Sequence, residues 1–400
     1  MNYKDSVNNE FQVNERTELV LIRSAEAAPY LTVGTKSYLG DQLVGKRNGQ
    51  TYQFVIRDAG EYVTGIDITG HKSTLKERPV EFKIQEGNIA IDTDILVKAS
   101  VDFDKEIAQP NGEKLAKGLV KDVMDADLGK QNTAFVGQGW LPLFKASNFL
   151  ESISSESQYA FFDPMIHSIA RSSGKAYEPA GDVEPIYRKG LKGTIGEAEV
   201  RSQQGFKVVE ISEALANELS SATVSGYVPG ANGFDSITLN NVTQTIPAGT
   251  PLFIAGVKAC DLVGEATSAP KAFIAVEDGA AGVVKVRHVD FNGVGTKEAS
   301  AFPAANAKLV NPIKEGTYFT GIIRLNGAFE ADTIKDLDWS NADERVSTPN
   351  GIVMHTARAV DVMKGTNTTR YTIAGVWGIT DCRAVTYVCI KDATSNVVSL

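Results

Sequence analysis

Four hundred residues, 42% hydrophobic and 22% charged, have ordinary globular composition and ample core material for two or three domains, or one elaborated one. That excludes a disordered chain, and the longest apolar stretches, such as 251–257, fall far short of the ~18 residues of a membrane span. Forty basic against forty-nine acidic side chains leave a formal charge of −9, the wrong sign for a protein built to grip nucleic acid.

Residues 1–15 are polar and mixed in charge, so no signal or transit peptide is expected. Residues 17–28 read as a helix, with Leu19, Val20 and Ile22 as apolar contacts and Pro29 as its stop. At that length it is an arm, too short for a core of its own. Tyr52, Phe54 and Ile56 then alternate with polar neighbours, as Val80, Phe82 and Ile84 do with Glu81 and Lys83. This is the period-two pattern of half-buried strands. Gly60, Gly65 and Gly70 and few large apolar side chains lie between, which predicts a long hairpin or loop. From 41 to 86, seven basic residues (46, 47, 57, 72, 76, 78, 83) balance seven acidic ones (41, 58, 61, 67, 77, 81, 86). Such an arm suits lying across another polar surface, or standing solvated as a surface hairpin.

Residues 111–129 are the clearest helix. Leu115, Leu119 and Val123 recur every four residues, with Ala116, Val120 and Ala126 widening the stripe. Lys114, Lys117, Lys121, Asp122 and Asp125 fall on the wet side; Asn111 after Pro110 is the expected cap and Gly129 the expected end. Gly112 and Gly118 weaken this helix by about 1 kcal/mol each relative to alanine. A second amphipathic stretch, 143–155, leads to a short strand at 159–162, and Asp163-Pro164 is a helix start. Residues 190–200 form a glycine-punctuated loop entering a strand. From 223 to 312 helical periodicity vanishes. Short strands at 237–239, 252–257, 272–276 and 283–290 are broken by Pro, Gly, Asn and Asp, and charge is sparse. This reads as an all-β domain inserted into an α+β parent, which closes with strands at 318–324, 353–362, 371–379 and 383–391.

No constellation for catalysis emerges. Gly40 to Arg47 mimics a phosphate loop, but Arg47 stands where a hydroxyl should hold magnesium. Gly293-Val-Gly295 lacks the third glycine of a dinucleotide site. His71, His167, His288 and His355 are scattered without metal spacing, and no serine lies in a G-x-S-x-G setting. The pairs Glu197/Glu199 and Asp92/Asp94 fit solvated faces better than acid–base work. Cys260, Cys382 and Cys389 are odd in number and in apolar surroundings, which predicts buried thiols in a reducing compartment. We expect no catalytic residues, no cofactor-binding residues and no metal ligands: a structural or binding protein, not an enzyme.

The order of segments resembles the major capsid protein family of tailed bacteriophages, and more narrowly the coat proteins of P-twenty-two-type short-tailed phages. Residues 15–31 resemble the family's N-arm helix, ending Ala-Pro; 50–87 its extended loop; and 114–130, opening Lys-Leu-Ala, its spine helix. Tyr159-Ala-Phe-Phe-Asp-Pro164 resembles a Tyr-Phe-Phe-Asn-Pro segment. Thr223-Val-Ser-Gly and Pro251-Leu-Phe-Ile-Ala-Gly-Val-Lys258 resemble the start and a central strand of the family's inserted domain. The resemblance implies an α+β Hong Kong-type capsid fold. Its parts would be an N-terminal arm at 1–35, an extended loop at 36–86 and a peripheral domain with the spine helix at 87–135. An axial domain at 136–222 would be interrupted by the inserted β domain at 223–312, resume at 313–345, and be followed by closing strands of both domains at 346–400. The inserted segment looks shorter than the family's. The implied function is self-assembly, as hexamers and pentamers, into an icosahedral shell around double-stranded DNA, held without sequence-specific binding. Implied partners are scaffolding and portal proteins, with decoration or tail-connector proteins as further candidates, and no membrane. The implied locations are the virion capsid and, during assembly, the bacterial host cytoplasm. The competing reading is a phage decoration, tail or glycan-binding β-rich protein, which should show repeats or aromatic sugar platforms; the tryptophans at 140, 339 and 377 are scattered.

Overall fold

The computed structural model describes residues 18–37, 39, 51–57, 77–92, 104–166, 193–195, 198–230, 233–292, 297–334, 342–347, 353–361 and 366–392. The middle of the charged loop, Gly40 to Arg47, His71, Asp94, His167, Glu197, Gly293 to Gly295 and Trp339 lie outside these residues. The chain divides into two compact units: one of 1–54, 80–126 and 329–378, the other of 55–79, 127–328 and 379–400. The expected strands around Phe54 and Phe82 are present as Thr51–Arg57 and Glu77–Lys83, which pair as a two-stranded sheet.

In the first unit a helix covers 18–27, and the chain restarts as a turn of helix at Pro29–Thr32. Pro29 therefore punctuates rather than ends the segment. At the first turn its missing N–H would have had no helical partner anyway. Val20, Leu21, Tyr30 and Leu31 are buried, and the Tyr30 ring meets Phe329 edge-on, centroids 5.1 Å apart. The long helix runs Gln109–Asp127 behind a wide π-turn at Asp104–Ala108. Leu115, Leu119 and Val123 are buried and the five charged residues named above exposed, as the spacing predicts. Asn111 is not the cap. Helical geometry begins upstream of it, and its amide donates to the Ile107 carbonyl at 2.7 Å. Gly129, at φ +88°, sits in the left-handed region just past the helix end.

The two helix glycines differ. A Cβ on Gly112 would lie 2.9 Å from Arg23 Cβ and 2.9 Å from the Val20 carbonyl, so the absent side chain is what lets helix 18–27 lie against the long helix. Gly118 is exposed and has nothing within 4 Å of that position. The sheet of this unit runs in the order Phe329–Thr333, Thr366–Ile379, Val353–Asp361, Ala342–Ser347, with Gln85–Asp92 also antiparallel to Thr366–Ile379. Leu39, Phe82, Ile84, Ile334, Ala374 and Val376 form a core cluster.

In the second unit a seven-stranded sheet runs Thr133–Gly137, Val385–Lys391, Gly316–Leu325, Gln158–Phe162, Ala198–Ser202, Gly193–Ile195, with Val208–Ile211 also on Gly316–Leu325. The first two strands are parallel, as are Gln158–Phe162 and Ala198–Ser202. Part of the glycine-punctuated stretch is a tight hairpin, Gly193–Ile195 against Ala198–Ser202, not a plain loop. Helix Leu141–Ile153 packs on Val385–Lys391, and Tyr387 is covered near Gly249. All but the last residue of that strand are therefore buried. Helix Glu213–Ser221 is capped by Ser212, whose hydroxyl accepts the Leu215 N–H at 3.2 Å.

The described residues between 223 and 312 form strands and turns. Thr223–Pro229, Phe234–Asn240 and Val283–Arg287 make an antiparallel sheet with Phe234–Asn240 central, and Pro251–Cys260 pairs with Ala266–Ile274. Val224, Ile237, Leu239, Val284 and Val286 are buried, alternating with exposed or half-buried neighbours.

Candidate functional site

Polar side chains of the second unit converge on the short connector that follows the long helix. Asp127, fully buried, accepts the Ile379 N–H at 3.1 Å and the Lys130 ammonium at 3.0 Å on Oδ1. Arg287 Nε donates to the Leu128 carbonyl at 3.1 Å. Buried Lys271 reaches the Gln131 carbonyl at 3.4 Å, and Thr133 donates to the Pro270 carbonyl at 2.6 Å.

Asn132 is the centre. Its amide donates to the Cys260 carbonyl at 2.7 Å and the Arg383 carbonyl at 3.3 Å, its N–H to Val385, and its carbonyl accepts from Ala272 at 3.2 Å. One side chain of the connector thus binds the 251–274 strand pair to the strand that follows Arg383. Arg383 is itself locked by a two-pronged pair with Asp381, at 3.0 and 2.8 Å. Six of these ten partners are backbone carbonyls, so the centre fastens chain segments to one another.

A second network lies within 223–312. Buried Asp235 accepts from the Tyr227 hydroxyl, the Gly230 N–H at 3.1 Å and the Val289 N–H at 3.3 Å, and meets His288 Nδ1 at 3.0 Å. Burial first, and then the Asp235 carboxylate, raises the Tyr227 phenol above its ordinary value, which keeps it a donor. The Tyr227 ring stands edge-on to Phe273, Phe291 and Phe302; the last two stack at 4.1 Å, with Phe302 half exposed. These contacts clasp strand ends.

Among the described residues, those weighed from sequence are not brought together. His288 belongs to the Asp235 network. His355 is buried in the first unit with Nε2 at 3.0 Å from the Ile334 carbonyl. Glu199 pairs with Arg201. Cys260, Cys382 and Cys389 are buried and unbridged, and burial pushes the Cys260 and Cys389 thiols up. Trp140 and Trp377 are buried, so neither can be a sugar platform. Among the described residues no group of three His, Cys, Asp or Glu could hold a metal ion, and no helix is long and apolar enough to cross a membrane. A hollow in the first unit, lined by Ser24, Ala28, Leu31, Leu119, Ile373 and Trp377 among others, carries no ionisable group. Asn132 and Asp235 escaped the sequence reading, because a buried polar hub leaves no spacing signature.

No family model matches the chain, and no curated protein matches it. Among solved structures it is similar to the capsid of Ralstonia phage GP4, at TM-score 0.46 and 8% identity, covering 94% of this chain and 92% of that one. It is similar to the head structure of Helicobacter pylori bacteriophage KHP40, at TM-score 0.43 and 8% identity, over 91% of each chain. It is also similar to a virus-like particle from Pyrococcus furiosus, at TM-score 0.38 and 8% identity, covering 94% of this chain and 97% of that one.

Proposed function

We propose that the chain is a major capsid subunit, assembling as hexamers and pentamers into an icosahedral shell around a phage double-stranded DNA genome. The observation that carries this reading is the hairpin Thr51–Arg57/Glu77–Lys83. Among the described residues its strands pair only with each other, with Phe82 anchoring one of them in the core cluster, and a two-stranded pairing by itself is marginal in water. With its balanced charges it is suited to lie on a neighbouring subunit. The ordered segment resemblances support the same reading, with 1–35 as an arm, 36–86 as the extended loop, 87–135 as peripheral domain and spine, and 223–312 as an insertion within axial residues 136–222 and 313–345, before the closing strands of 346–400. Scaffolding and portal proteins would act during assembly in the host cytoplasm, and the packaged DNA needs no sequence-specific contact.

Electron microscopy of the expressed chain, alone and with a scaffolding partner, tests the proposal; closed shells are expected. Deleting 58–78 should leave a soluble folded subunit that builds none, and normal particles from that deletion would remove the role of the hairpin. The alternative of a decoration, tail or glycan-binding protein rests on one aromatic surface, Phe302 on Phe291. A glycan-binding screen with a Phe302→Ala control addresses it.

A further inference from the structure

We draw no further inference here: the strongest candidate, the apolar hollow of the first unit lined by Ala28, Leu119 and Trp377 among others, carries nothing, because nothing in the structure shows what covers it.

Discussion

Asn132 shows how much one side chain can hold. Replacing it with leucine removes the donor to the Cys260 and Arg383 carbonyls and leaves both buried without it. Asn132→Leu should cost about 2 kcal/mol, read as a lower thermal or urea midpoint. A midpoint within ~0.5 kcal/mol of wild type, the range of ordinary surface changes, would show that the hub is dispensable. Glu218 makes a pH-dependent clasp at the surface. Its carboxylate accepts the Thr243 hydroxyl at 2.6 Å and the backbone N–H groups of Thr243 and Gln244 at 2.8 and 2.9 Å. Those bonds, the hydroxyl first, hold its pKa below the ordinary 4.5. A depressed carboxylate contributes fully above its unfolded value and loses that contribution as pH falls through the folded one. The Thr243 and Gln244 amide resonances should therefore move together in an acid titration, below pH 4.5. Glu218→Gln should abolish that step, and a step that persists in the variant assigns it to another group.

At the scale of elements, the stripes and alternations were legible. Leu115, Leu119 and Val123 gave the long helix, and Ile237, Leu252 and Val284 their strands, because burial of one face imposes a period that survives in sequence. Strands Gln85–Asp92, Thr133–Gly137, Phe329–Thr333 and Ala342–Ser347 were not foreseen. They are short or polar, and pairing with distant partners decides them more than local pattern does. Helix Glu213–Ser221 was readable in principle from Ser212 followed by Leu215 and Leu219. The helix glycines show where propensity alone misleads. Gly112→Ala should destabilise the chain despite alanine's preference for helix, since its Cβ would meet backbone at 2.9 Å. Gly118→Ala, in open space, should stabilise the isolated subunit by about 1 kcal/mol. Equal shifts in the two melting curves would mean that the approach of helix 18–27 is looser than described.

For the whole molecule, the boundaries at 223 and 312 divide residues that form a single compact unit with 127–222, 313–328 and 379–400. The segment has its own buried faces and an aromatic cluster, yet Arg287, Lys271, Pro270 and Cys260 bond to residues 128–133. Excised as a fragment, 223–312 should give dispersed amide resonances and a cooperative melt, with a midpoint below that of the full chain because those four contacts are gone. A random coil across several choice of ends would assign its strands to the parent. The change of texture was legible; the bonds that tie this segment to 128–133 were not, because they run through backbone carbonyls, which every residue has.

The parallel pairing of Thr133–Gly137 with Val385–Lys391 has a consequence for synthesis. The first strand leaves the ribosome about 250 residues before its partner, which at roughly 5–20 residues per second is a wait of ~10–50 s. Gly316–Leu325 likewise has Gln158–Phe162 and Val208–Ile211 ready on one side while Val385–Lys391 is still untranslated. Throughout that interval the nascent chain carries apolar strand edges open to other nascent chains on the same message. The main sheet of the second unit therefore stays unfinished until Val385–Lys391 is translated, and that strand decides whether it closes.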